Sequence, residues 1–177
     1  MEKLFLGMAR KDITPKVGGL LFGYDLDTFS TSVNDNLTAT AFLFKYGDEK
    51  ILFLNATVCL IGVTWCNEIR REISQSLNIP FEKIIITTIH THSGPSLAEE
   101  DDGWFFDREY YDEIFHPTIL ELAREATELL VPVTVGRASG NCYAGVSRRE
   151  LSLESNTVIL GQNPWAPFNP EMNVVSF

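Results

Sequence analysis

Basic residues are the first shortage in this 177-residue chain: 14 Lys+Arg stand against 24 Asp+Glu, a formal net charge of −10. That balance argues against binding nucleic acid or an anionic membrane through a basic surface. Long hydrophobic runs are also missing. The longest, such as Ile84–Ile86, Ala41–Phe44 and Ile51–Leu54, fall far short of the ~20 apolar residues that span a bilayer, so no transmembrane segment is expected. Cysteine is scarce and odd in number: Cys59, Cys66 and Cys142 lack zinc-finger spacing and read as free thiols of a reducing compartment. Met1–Gly7 has too short an apolar stretch for a signal peptide, and a cytoplasmic location follows, unless an exporting segment has been removed. The chain contains no GxGxxG, P-loop, G-x-S-x-G or Cys-His-Asn arrangement, no internal repeat and no low-complexity linker.

What is present fits one domain, or part of one. Hydrophobic residues make up 45% and charged residues 21%, near the globular average, and a domain of this length buries roughly 70% of its unfolded surface. Leu4–Ile13 reads as a strand running into Thr14-Pro15 and a loop carrying Gly18, Gly19 and Gly23. Leu37–Tyr46 and Lys50–Cys59 form a hairpin about Gly47-Asp48-Glu49, with both faces expected to be buried because the runs are almost continuously apolar.

Val63–Leu77 places Trp65, Ile69, Ile73 and Leu77 four apart, as an amphipathic helix stopped by Asn78 and Pro80. Lys83–Ile89 is a further strand. Arg108–Leu130 is helical with a break expected near Phe115-His116 and Pro117 opening a second segment, since proline costs ~3 kcal/mol or more in a helix interior but little in a first turn. Pro132–Ser139, Thr157–Leu160 and Asn173–Phe177 are additional strand candidates. This order implies an α/β fold with a mixed sheet flanked by helices.

The chemistry concentrates at Ile89-His90-Thr91-His92-Ser93-Gly94-Pro95. If the strand continues to Thr91, residues i and i+2 point to one side, with β-carbons ~6–7 Å apart, and two imidazoles can converge on one zinc. The alternative is a pair of histidines that end a strand and bond nearby carbonyls. With two histidines and no local carboxylate or thiolate partner, zinc binding by this stretch is expected to be weak. His116 reads as a packing or capping residue at the helix break, and Glu99-Glu100-Asp101-Asp102 as a solvated loop. Asn141–Glu150 reads as a small-residue loop delivering Arg148 and Arg149, either as a surface pair or as guanidiniums able to hold an oxyanion.

Taken together, Gly7-Met8-Ala9-Arg10-Lys11-Asp12-Ile13-Thr14-Pro15, Gly18, Gly23-Tyr24, Val33-Asn34-Asp35-Asn36-Leu37 and His90-Thr91-His92-Ser93-Gly94-Pro95 resemble the N-terminal domain of the neutral/alkaline, non-lysosomal ceramidases. Val146-Ser147-Arg148-Arg149 and Gly161-Gln162-Asn163-Pro164 look like later loop motifs of that family. The resemblance implies a zinc-dependent amidohydrolase that cleaves the N-acyl amide of a small molecule or lipid.

By the same resemblance, His90 is a zinc ligand, His92 stands behind it or faces the substrate, Arg148 is an active-site arginine, and Gly23-Tyr24 belong to the loop that approaches metal and substrate. It departs from the family at Thr40 and Thr57, where an arginine and an aspartate are usual, and at Ser96, where glycine is frequent. The family's remaining ligands, a second histidine, a glutamate and a tyrosine, are implied beyond Phe177. A second chain or C-terminal segment is therefore expected to complete the domain. A non-catalytic binding module that kept the fold and lost the metal site is the competing expectation.

Overall fold

The computed structural model describes residues 3–23, 27–99 and 106–177. They form two compact units, Met1–Val133 and Thr134–Phe177. The first is built on a five-stranded sheet of β1 (Leu4–Asp12), β2 (Thr38–Tyr46), β3 (Glu49–Ala56), β4 (Ile84–Thr88) and β5 (Val131–Pro132), in the spatial order β4-β3-β2-β1-β5. β1, β2 and β3 are antiparallel neighbours, β5 runs antiparallel to β1, and β4 is parallel to β3. The parallel pair is joined by α1 (Val63–Leu77), which makes a βαβ unit inside an otherwise antiparallel sheet, the mixed arrangement expected from the element order.

The hairpin is tighter than the sequence suggested. Tyr46 pairs with Glu49, so the turn is Gly47-Asp48, and Gly47 takes the left-handed conformation at φ 57°. Burial alternates along β2 and β3: Ala39, Ala41, Leu43, Leu52, Leu54 and Ala56 are buried against the helices. Phe42, Phe44 and Phe53, on the other side, are only partly covered. The expectation of burial on both faces is thus corrected to burial on one, because α1 and α3 (His116–Glu128) both pack on the same side through Ile69, Ile73, Ile119, Leu122, Ala123 and Ala126. Gly7 lets α3 approach: a β-carbon there would fall 1.8 Å from the Ala126 carbonyl oxygen.

The chain does not break near Phe115-His116, although Pro117 does open a further helical segment, as expected. The chain runs from α2 (Arg108–Tyr110) through a π-turn (Tyr111–Phe115) directly into α3, and the His116 N–H bonds the Tyr111 carbonyl. The wider turn absorbs the missing donor of Pro117, which sits in the first turn of α3, where proline costs little.

In the second unit, β6 (Gly136–Asn141) pairs antiparallel with β9 (Glu171–Ser176), and β7 (Ser147–Ser152) with β8 (Thr157–Asn163). The stretch read as one strand over Pro132–Ser139 is therefore two: Pro132 ends β5 in the main sheet and Gly136 begins β6. Part of the stretch read as a loop before Glu150 is strand β7, closed by the Asn156 turn at φ 51°.

Candidate metal centre

β3 and β4 are parallel and in register from Leu52↔Ile84 to Ala56↔Thr88, so the segments that follow them leave the sheet at the same end. One carries Cys59, the other His90 and His92. Carboxyl ends of parallel strands are where α/β sheets place ligands, because the crossover helices leave a crevice there. α1 begins just beyond, and Glu99 caps it: the carboxylate accepts the Thr64 N–H at 2.6 Å and lies against Gly62, the residue preceding the helix. An anion at a helix N-terminus is favoured by the helix dipole. The reading of Glu99 as part of a solvated loop is thereby corrected; Glu100, Asp101 and Asp102 lie outside the described residues.

The two histidines do not sit on the strand. β4 stops at Thr88, and it is an edge strand with Ile84 buried and Ile85 exposed, rather than a fully buried one. His90 adopts φ 58°, a left-handed conformation that costs a non-glycine residue about 1–2 kcal/mol. The alternation argument therefore fails, yet the turn brings the rings together by another route: their centroids lie 5.0 Å apart, edge to face.

His90 is held from behind. Its Nδ1 lies 3.2 Å from the Cys59 carbonyl oxygen and 3.5 Å from the Cys59 thiol. A carbonyl only accepts, so that contact places the proton on Nδ1 and leaves the Nε2 lone pair available to a ligand. Thr88 Oγ1 donates to the same carbonyl at 3.2 Å and fixes its direction.

Cys59, His90 and His92 offer donor atoms all within 4.8 Å of one another. Cys59 is fully buried, and burial raises its thiol above the ordinary range. The sequence reading missed it, having found no thiolate partner near the H-T-H. The signal was present in the topology: once Lys50–Cys59 and Lys83–Ile89 are paired in parallel across α1, both ends coincide. An imidazole whose Nε2 is free, with a second imidazole beside it, suits an ion of the zinc class, and Cys59 stands behind the His90 ring as its anchor.

The glycine loop meets the same site. The Phe22 N–H donates to the Gly94 carbonyl at 3.0 Å. Gly23, at φ 123°, abuts His92, and a β-carbon there would fall 2.4 Å from the ring atoms Cγ and Cδ2. Alongside runs a cleft of about 600 Å³ whose walls include Thr28, Ser30, Ser32, Leu37, Thr91 and Ser93. Tyr24 lies outside the described residues.

Of the expected site residues, His90, His92 and Gly23 come together. Thr57, at one of the points of departure from the family, has a structural role, its Oγ1 accepting the Thr38 N–H at 2.6 Å. Arg148 stands exposed on β7 of the second unit, beside an irregularity in register at which Gly161 and Gln162 of β8 are accommodated. There the Gln162 N–H donates to the Glu150 carboxylate at 3.1 Å.

The chain is similar to the neutral ceramidase of Pseudomonas aeruginosa, with a TM-score of 0.79 at 17% identity over 100% of this chain and 30% of that one. A ceramidase structure complexed with C2 gives a TM-score of 0.80 at 18% identity, again over the whole of this chain and 29% of the other. The ceramidase-like fold expected from the motifs is therefore present, and the chain spans about 30% of the length of the ceramidases it matches. No family model and no curated protein sequence matches it. No helix among the described residues is long and apolar enough to cross a membrane.

Proposed function

We propose that this chain forms the first portion of a ceramidase-like hydrolase, and that its H-T-H loop holds a catalytic metal of the zinc class for cleavage of an N-acyl amide. The observation that carries the reading is the convergence of Cys59, His90 and His92 beside the Gly23 loop, at the carboxyl ends of two parallel strands. A zinc ion held there would supply Lewis acidity, lowering the pKa of water to about 7 and polarising the amide carbonyl.

The chain's own residues divide the remaining work. His90 presents Nε2 to the ion, with Nδ1 anchored on the Cys59 carbonyl. His92, pressed against Gly23, faces the substrate and carries protons to or from the scissile amide. For Arg148, exposed on β7 of the second unit, the support is the family resemblance alone: a guanidinium is suited to holding an oxyanion through forked hydrogen bonds. Gly23 keeps the loop close enough to cover the ring, and the assignment of Tyr24 to substrate binding rests on the family resemblance alone. The polypeptide that completes the domain supplies the other ligands, as a C-terminal continuation or a second chain.

The test is hydrolysis of a short-acyl ceramide and of simpler fatty-acyl amides by the whole natural polypeptide carrying this sequence. Acyl release that is lost with a chelator and lost in His90→Ala supports the proposal. Acyl release that is indifferent to both, or no release from any N-acyl amide, overturns it.

A further inference from the structure

A second group of donors lies away from the H-T-H loop, on the helical layer. Glu68 and Glu72 are four apart on α1, hence neighbours on one face, and His116 opens α3 opposite them. Their donor atoms all lie within 4.8 Å of one another, and each residue is partly buried. In the sequence alone His116 has no ligand partner nearby; its partners come from α1, Glu72 standing 44 positions earlier and Glu68 one helical turn before that.

His116 Nε2 and Glu72 Oε1 are 3.0 Å apart, which accounts for one carboxylate. Beside that pair, Glu68 has no hydrogen-bond partner of its own among the described residues, and its carboxylate stands four positions before that of Glu72 on the same face of α1.

An independent observation points into the same place. Tyr111 is 1% exposed, yet its hydroxyl has no hydrogen-bond partner among the described residues. A buried polar group left unpaired costs about 1–3 kcal/mol and calls for an explanation. Its ring lies against His116, centroids 5.4 Å apart, and the charges of Glu68 and Glu72 help burial to raise its hydroxyl above the ordinary tyrosine range. The unpartnered phenol thus belongs to a ring that packs directly on His116, one of the three donors. Tyr111 and His116 are brought to this spot by the π-turn, a local irregularity frequent at functional sites. Trp65 and Phe106, stacked at 4.5 Å, pack with Tyr111 as an apolar wall.

We propose that Glu68, Glu72 and His116 form a second divalent-cation site of the zinc class between α1 and the start of α3. Two carboxylates and an imidazole are a donor set for such an ion; the cation answers the charge of Glu68, and the Tyr111 hydroxyl hydrogen-bonds a carboxylate or a water of the bound ion. The site ties α1 to α3 and is independent of the amide-cleaving centre.

The experiment is a calorimetric zinc titration of the metal-free whole natural polypeptide carrying His90→Ala and His92→Ala. One equivalent should still bind, with affinity falling at least about tenfold on adding Glu68→Gln or His116→Gln and unchanged on adding Glu109→Gln, an exposed control. No uptake in the His90→Ala/His92→Ala chain, or uptake indifferent to Glu68→Gln and His116→Gln, would overturn the site. Should those variants fold poorly, an anomalous diffraction map at the zinc edge of wild-type crystals decides. A peak bounded by Glu68, Glu72 and His116 supports the site, and its absence there overturns it.

Discussion

Gly23 and His92 occupy each other's space so closely that no side chain fits between them: a β-carbon on Gly23 would lie 2.4 Å from two imidazole atoms. At φ 123° the position is also one that L-residues rarely adopt. Gly23→Ala should therefore displace the His92 ring or the loop. We expect metal affinity at the H-T-H site to drop about tenfold or more while global stability changes little, since Gly23 is exposed at the surface. Calorimetry beside urea unfolding separates the two effects.

Gly7 is a glycine of a different kind, a stability position. Its missing β-carbon is the space in which α3 lies, with the Ala126 carbonyl oxygen 1.8 Å from where that carbon would be. Gly7→Ala should cost about 1–3 kcal/mol by forcing helix and sheet apart. The expected signature in urea unfolding is a lower midpoint with an unchanged slope.

Glu99→Ala removes the acceptor for the Thr64 N–H and the negative charge at the start of α1. Loss of about 1 kcal/mol is expected, the usual value of a helix cap. Glu99→Gln should recover part of it, because the amide oxygen still accepts while the charge is gone.

Asp12 gives a pH dependence with a definite sign. Its carboxylate is held below the ordinary range by hydrogen bonds from Thr14, side chain and backbone, and from Asn36. A depressed folded-state pKa contributes stability that is fully present above the unfolded value, about 3.9, and is lost as pH falls through the folded value. The stability gap between wild type and Asp12→Asn should thus be constant near neutrality and shrink below about pH 4. A gap that widens on acidification would contradict the assignment.

The strands and α1 were legible because their signals are local: apolar runs in Leu4–Ile13 and Leu37–Tyr46, a four-residue spacing from Trp65 to Leu77. The π-turn was not, since Pro117 speaks equally for a break and for a widened turn that carries the helix on. Strand β7 was hidden by composition, Ser-Arg-Arg-Glu being poor in strand formers. The ceramidase-like fold was legible from motif order. At the site, the sequence put His90, His92 and Gly23 in one place but attributed the meeting of the rings to strand alternation. The left-handed turn at His90 does this instead. Cys59 and the Glu68–Glu72–His116 group stayed invisible because their partners are 31 and 44 positions apart and meet only through the fold.

The central claim is that the H-T-H loop holds a metal through His90, and the most direct measurement is a calorimetric zinc titration of the metal-free protein in a Glu68→Gln background, which leaves that site alone to be read. In the whole natural polypeptide, where the remaining ligands are supplied, zinc should bind at this site, and His90→Ala should abolish that binding or weaken it by at least about tenfold. Equal binding with and without His90, or none in either protein, would contradict the account.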